Sequence, residues 1–243
     1  MKYYQQAIAG TALVTVALYV LYKGTEIIQE SQNTVPFSGP HWKHKDKTVE
    51  SSELFNSKYL RLESHTVRSR AGLINGWIWV DFHDQINVLA RGANGKFYVL
   101  RQVKYGLPGP SLSVVCSAIA PNEQPRSVAE RELLDELGMV ASKWIFLGKF
   151  RTDSNRGGGF VYSFLALDVV RKGSGALPLS ANELETQEVI EMNHVELMRA
   201  LLGNEFAEAK WANTVAMGLL HLSTKNAPSL PLSAAETPLN QKG

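Results

Sequence analysis

The chain has a single cysteine, Cys116, among its 243 residues. A disulfide framework within the chain and a Cys-rich zinc site are therefore excluded. It also lacks an excess of one charge: 25 Lys and Arg stand against 23 Asp and Glu, a formal net charge of +2. No global basic field exists to capture nucleic acid, and no nucleic-acid partner is expected. An Arg-rich, acid-poor presequence is missing, and so are internal repeats. The six histidines are scattered without metal-ligand spacing, and His41 and His44 have no evident third ligand nearby. Wholesale disorder is excluded too, because 44% of the residues are hydrophobic and only 20% charged.

One long apolar run is present. Residues Tyr3 to Tyr22 carry no charge, between Lys2 and Lys23. A helix of that length spans about 30 Å, the thickness of a hydrocarbon core. Tyrosines near both ends suit the bilayer interface. The alternative is a cleaved signal peptide, but the run ends Leu21-Tyr22-Lys23-Gly24 without a small-residue cleavage site. The expectation is an N-terminal transmembrane anchor over 1–24, in contact with the membrane through residues 3–22. Residues 25–57, with Ser, Asn, Pro and Gly among charges, read as a linker. Its cluster His41 to Lys47 is either solvated or rests on anionic headgroups. Residues 223–243 read as a C-terminal tail.

Between them, 58–222 alternate short strands and helices. Strands are expected at Leu60–His65, Ile74–Phe82, Gln85–Arg91, Phe97–Val103, Leu112–Ala118, Ile145–Phe150, Phe160–Val170 and Glu188–Met192. Asn94-Gly95 is a hairpin signal. Helices are expected at Arg126–Leu137, Val195–Leu202 and Phe206–Leu222. The mixture predicts an α+β domain, an α/β/α sandwich on a mixed sheet.

The most informative segment is Glu123 to Met139, EQPRSVAERELLDELGM. Ser127 and Glu130 have capping-box spacing, which makes Ser127 the expected N-cap, and Gly138 the expected C-terminal stop. Ala129, Leu133 and Leu137 form one packed face. Glu132, Asp135 and Glu136 share another and repel one another. Either they are a solvated acidic face or a hard divalent cation relieves the repulsion.

This segment resembles the Nudix box, G-x5-E-x7-R-E-U-x-E-E-x-G-U with U aliphatic. Glu123, Arg131, Glu132, Leu133, Glu136, Gly138 and Met139 fill matching positions. Ser117 stands at the first Gly, and Asp135 at the first Glu of the pair. Asn87–Tyr105 and Glu185–Met192 look like the flanking parts of the ADP-ribose and nucleotide-sugar pyrophosphatase branch. The likeness runs from about Tyr59 to Leu222. It implies a Nudix sandwich that cleaves a nucleoside diphosphate derivative such as ADP-ribose with Mg²⁺ or Mn²⁺. Carried over by position, Glu132, Asp135 and Glu136 are the implied metal ligands. Glu132, Glu136 and Arg131 are the implied catalytic residues, with Arg131 orienting Glu132 or pairing with Glu123. Arg101, Lys104 and Arg156 are the implied substrate-binding residues, and Glu185 or Glu188 a further acid.

The approach to the box departs from the branch. Where it usually reads E-[LI]-P-A-G, this chain has Ser113-Val114-Val115-Cys116-Ser117. The departure leaves three readings open. The first is a membrane-anchored, metal-dependent Nudix hydrolase. The second is a Nudix-fold accessory subunit of a larger membrane complex, with the mitochondrial inner membrane as expected host. The third is a nucleotide sensor without turnover. A homodimer through the N-terminal strands is an alternative to complex membership. The loop Asn155 to Gly159 is either a phosphate-binding nest or a hairpin turn. Cys116 reads as a small hydrophobe, and Trp77, Trp79 and Phe82 as a half-buried strand.

Overall fold

The computed structural model describes residues 35–172 and 187–224. Its strands are β1 (Thr48–Asn56), β2 (Leu60–Ser69), β3 (Gly72–Phe82), β4 (Gln85–Gly92), β5 (Phe97–Gln102), β6 (Ser111–Ser113), β7 (Val115–Ala118), β8 (Met139–Val140), β9 (Lys143–Asp153), β10 (Gly157–Arg171) and β11 (Gln187–Met192). Its helices are α1 (Pro125–Leu137), α2 (His194–Leu202) and α3 (Ala209–Ser223). The expected anchor at 3–22 lies outside the described residues, as do Glu185 and nearly all of the expected tail. Among the described residues no helix is long and apolar enough to cross a membrane.

The main sheet runs β1-β2-β3-β10-β4-β5-β11, with β6 beside β5, β7 beside β4 and β9 beside β10. It is mixed: β10 lies parallel to β4 and antiparallel to β9. Strand alternation sorts its side chains into two cores. Ile86, Val88 and Ala90 of β4 and Tyr162, Phe164 and Ala166 of β10 join Val128, Ala129, Leu133 and Leu137 of α1. Leu89 and Leu165, one residue out of phase, join Leu197 of α2 and Trp211, Val215 and Leu219 of α3. Helices thus cover both faces, and the sandwich expected from the sequence is observed. α3 lies close on β4, for a Cβ at Gly218 would meet Leu89 Cδ2 at 2.7 Å.

Three details differ from expectation. The expected strand Leu112–Ala118 is two short strands, broken at buried Val114 and paired with different neighbours, β5 and β4. α1 starts at Pro125, with Gln124 as an N-cap that makes no side-chain bond, so Ser127 is not the cap. Pro supplies its fixed φ and lacks the N–H that would be orphaned there. Its C-terminus is as expected: Gly138 adopts φ 63° and its N–H returns to the Leu133 and Leu134 carbonyls.

The third difference concerns the segment read as linker. Residues 48–56 form β1, which pairs antiparallel with β2. Before it, 35–47 run across the sheet as a strap. Phe37 is buried and its N–H donates to Asn56 Oδ1 at 2.7 Å. Trp42 stacks on Trp79 with ring centres 4.6 Å apart. His41 Nε2 reaches Glu63 at 3.0 Å. Polar composition concealed these contacts, because each depends on a partner strand distant in sequence.

Candidate functional site

α1 places its functional side chains by helical spacing. Leu133 and Leu137 are fully buried, which turns Glu132 and Glu136 toward the edge of the sheet near β7 and β11. Glu136 Oε2 accepts from Gln187 Nε2 at 3.3 Å, and the Cys116 backbone also bonds its carboxylate. Burial, and then the nearby charge of Glu132, push Glu136 up to about 7. The bonds from Gln187 and Cys116 and the charge of Lys104 act in the opposite direction. Arg131 contacts both of its expected partners. Its Nη1 donates to Glu132 Oε1 at 2.5 Å, and its Nη2 to Glu123 Oε1 at 3.3 Å. Glu123 also accepts from the Ala120 N–H, which fixes the loop before the helix.

Reached from Glu136 through the Cys116 backbone and Lys104 lies a cavity of about 430 Å³, lined by Gln85, Lys104, Cys116, Ser117, Lys210 and Trp211 among others. A second cavity of about 560 Å³ shares Gln85, Glu208 and Lys210 with it and extends to Arg156 and Gly158. The two are therefore lobes around one wall. Lys210 Nζ donates to Gln85 Oε1 at 2.6 Å and pairs with Glu208 at 2.5 Å. Burial, then the charge of Glu136, push the Cys116 thiol up to about 12, which disfavours the thiolate.

The sequence-expected residues distribute unevenly. Glu132, Glu136, Arg131 and Lys104 come together. Asp135 sits on the exposed side of the same turn. Arg101 is exposed on β5, 3.9 Å from the equally exposed Glu188. Arg156 lies over the Trp77 ring at 4.5 Å and lines the far lobe. The glycine loop beside it is the β9–β10 hairpin. A Cβ at Gly157 would stand 2.2 Å from the Val80 carbonyl, so glycine is required by the close approach to β3. Ser117, at the position of the box's first glycine, lies in β7 opposite Ile86 and is not among the described residues with positive φ. Serine is therefore compatible with this backbone. Gln187 and Lys210 were missed: neither belongs to a motif, and β11 and α3 are brought to α1 and β4 only by folding.

Glu132 and Glu136 are an oxygen-donor pair in mutual repulsion, with Asp135 on the same turn. That donor set suits Mg²⁺ or Mn²⁺. Among the described residues, the group with ligand atoms within 4.8 Å of one another lies elsewhere: His41, Glu63 and Asp81. Its carboxylates are already engaged. Glu63 accepts from His65 at 2.8 Å, and Asp81 accepts from Trp79 Nε1 at 2.8 Å and Arg61 at 3.2 Å. Burial alone would raise Glu63, but the bonds from His65 and His41 outweigh it and hold the carboxyl below its ordinary value. This group is an ionic clip for the strap.

No family model matches the chain. It is similar to the ADP-ribose pyrophosphatase of Bacillus subtilis (strain 168), 26% identical over 183 residues, which covers 75% of this chain and 95% of that protein. Among solved structures it resembles a crystal structure of an ADP compounds hydrolase, with a TM-score of 0.60 at 16% identity. That likeness covers 76% of this chain and 97% of the other, and it concerns the fold.

Proposed function

We propose, from the premise that the chain is a Nudix relative of the ADP-ribose pyrophosphatase type, that it hydrolyses the diphosphate of ADP-ribose or a similar ADP compound. The observation that carries this reading is the Glu132–Glu136 pair set beside the Lys104 cavity. Two neighbouring cavities that share Gln85, Glu208 and Lys210 give room for a ligand with two bulky ends, its diphosphate near Lys210.

A divalent cation held by Glu132 and Glu136, with Asp135 as further donor, would neutralise charge on the diphosphate. The protein's own residues do the rest. Arg131 holds Glu132 in place. Gln187 and the Cys116 backbone orient Glu136. Lys104 and Lys210 attract the phosphates, and Arg156 serves the far lobe. An oxygen of the Glu132–Glu136 pair not spent on the cation would take the proton from an attacking water. The water oxygen bonds to one phosphorus, the bridging P–O bond breaks, and two phosphate monoesters leave.

The membrane-anchored form of this reading rests on the uncharged run 3–22, and the mitochondrial inner membrane is the proposed host. Extraction of the native protein at alkaline pH tests the anchor: it stays with the pellet if anchored and is released if not. Product analysis tests the chemistry. The full chain with ADP-ribose and Mg²⁺ is expected to yield AMP and ribose 5-phosphate. Release of free ADP or of adenine, or no products, would contradict it.

A further inference from the structure

A separate cavity of about 380 Å³ lies under the strap, between β9, β10 and the start of α1. We propose that it binds a small phosphate monoester. Two cations on one face of β9, Lys149 and Arg151, line it. Both stand over aromatic rings, with no acid in contact. The Arg151 guanidinium carbon is 3.8 Å from the centre of Phe160 and 5.4 Å from that of Trp42. Lys149 Nζ stands 4.4 Å from Phe160 and 4.5 Å from Tyr162. Among the described residues neither makes a hydrogen bond, nor an ion pair within 4.0 Å. A guanidinium stacked on rings keeps its edge N–H groups for an acceptor in its own plane. Partly buried N–H donors left unspent are costly, and an oxyanion satisfies several at once.

The acids on the same walls do not take these donors. Asp81 is bound by Arg61 and Trp79. Glu123 accepts from Arg131 and the Ala120 N–H. Asp84 accepts from the Phe160 N–H at 2.9 Å and is bonded to the Tyr162 hydroxyl; its charge acts on both Lys149 and Arg151, and that of Asp81 on Arg151, without an ion pair within 4.0 Å. The uncapped start of α1, at Gln124 and Pro125, closes the same wall and adds partial positive charge. Pro40, Phe82, Ile119 and Pro121 line the rest of the cavity and offer an apolar surface to a sugar. Fork, point charge and helix end suit a tetrahedral oxyanion better than a planar carboxylate. The site is distinct from the carboxylate cavity, and the proposal does not depend on the hydrolase reading.

The test is calorimetric titration of the full chain with inorganic phosphate, ribose 5-phosphate and succinate, with tryptophan fluorescence as a second readout. Trp42 on the cavity wall, stacked on Trp79, makes binding visible. Saturable binding of ribose 5-phosphate is expected, tighter than that of succinate. Lys149→Met and Arg151→Met, which keep an apolar stem over the rings, are each expected to weaken it at least tenfold. Binding of inorganic phosphate alone would show a free-phosphate site and overturn the ester. Absent binding, tighter succinate, or affinity unchanged in Lys149→Met but lost in Lys210→Met would overturn the site. Circular dichroism checks folding, and if Arg151→Met does not fold, Lys149→Met decides.

Discussion

Glu136 is the most strongly shifted carboxylate of the candidate site. Its pKa in the folded protein is about 7 against 4.5 for an ordinary glutamate. Below pH 4.5 both folded and unfolded chains hold the proton, so the group has no effect. Between pH 4.5 and about 7 the folded chain keeps a proton that the unfolded chain releases. Stability therefore falls as pH rises through that window, by on the order of 3 kcal/mol at about 1.4 per unit. Thermal melts without divalent cation are expected to show this fall, and Glu136→Gln to reduce it. Asp84, also raised by burial, contributes equally to both proteins and cancels in the difference. An unchanged slope in the Gln variant would contradict the account. At this scale the box was legible: Arg131, Glu132 and Glu136 meet because they lie on consecutive turns of one helix. Gln187 was not, for it reaches Glu136 across 51 residues of chain.

At the scale of elements, hydrophobic period placed most strands and helices within a few residues. The failures have local causes. Ser127 and Glu130 have the spacing of a capping box, yet Pro125 takes the first helical position. Glu130 then pairs with Arg126 at 2.7 Å one turn back instead. The packing of α3 relies on polar groups that no hydrophobic pattern shows. Asn87 Nδ2 donates to the Lys210 carbonyl at 3.0 Å and to Thr214 Oγ1 at 3.2 Å, and Thr214 Oγ1 meets Ser163 Oγ at 2.8 Å. All three side chains are fully buried. Thr214→Val keeps the shape and removes the hydroxyl, so buried Ser163 loses this partner and Asn87 one of its two bonds. A loss of about 1–3 kcal/mol is expected in urea unfolding. A loss below about 0.5 kcal/mol would show that these bonds are replaced by others.

For the molecule as a whole, the domain begins before its first expected strand. Strap and β1 cover the outer edge of β2 and roof the cavity at Lys149. A truncation starting at residue 35 keeps the strap and β1 and is the reference for a shorter one. One starting at 58 loses β1, the Trp42–Trp79 stack and the His41–Glu63 contact. It is expected to melt lower and to self-associate through the opened strand, in calorimetry and light scattering. Linker composition hid this edge, whereas the sandwich itself was legible because its two apolar faces are each written in strand and helix period. The central claim concerns the pair on α1. Its most direct test is the rate of ADP-ribose hydrolysis by the full chain in Mg²⁺, with Glu136→Gln and Glu132→Gln beside it. The account predicts turnover in the parent and a fall in kcat of at least about 100-fold in each variant, the scale on which positioned acid–base groups act. Turnover that survives both substitutions, or none in a folded parent, would contradict it.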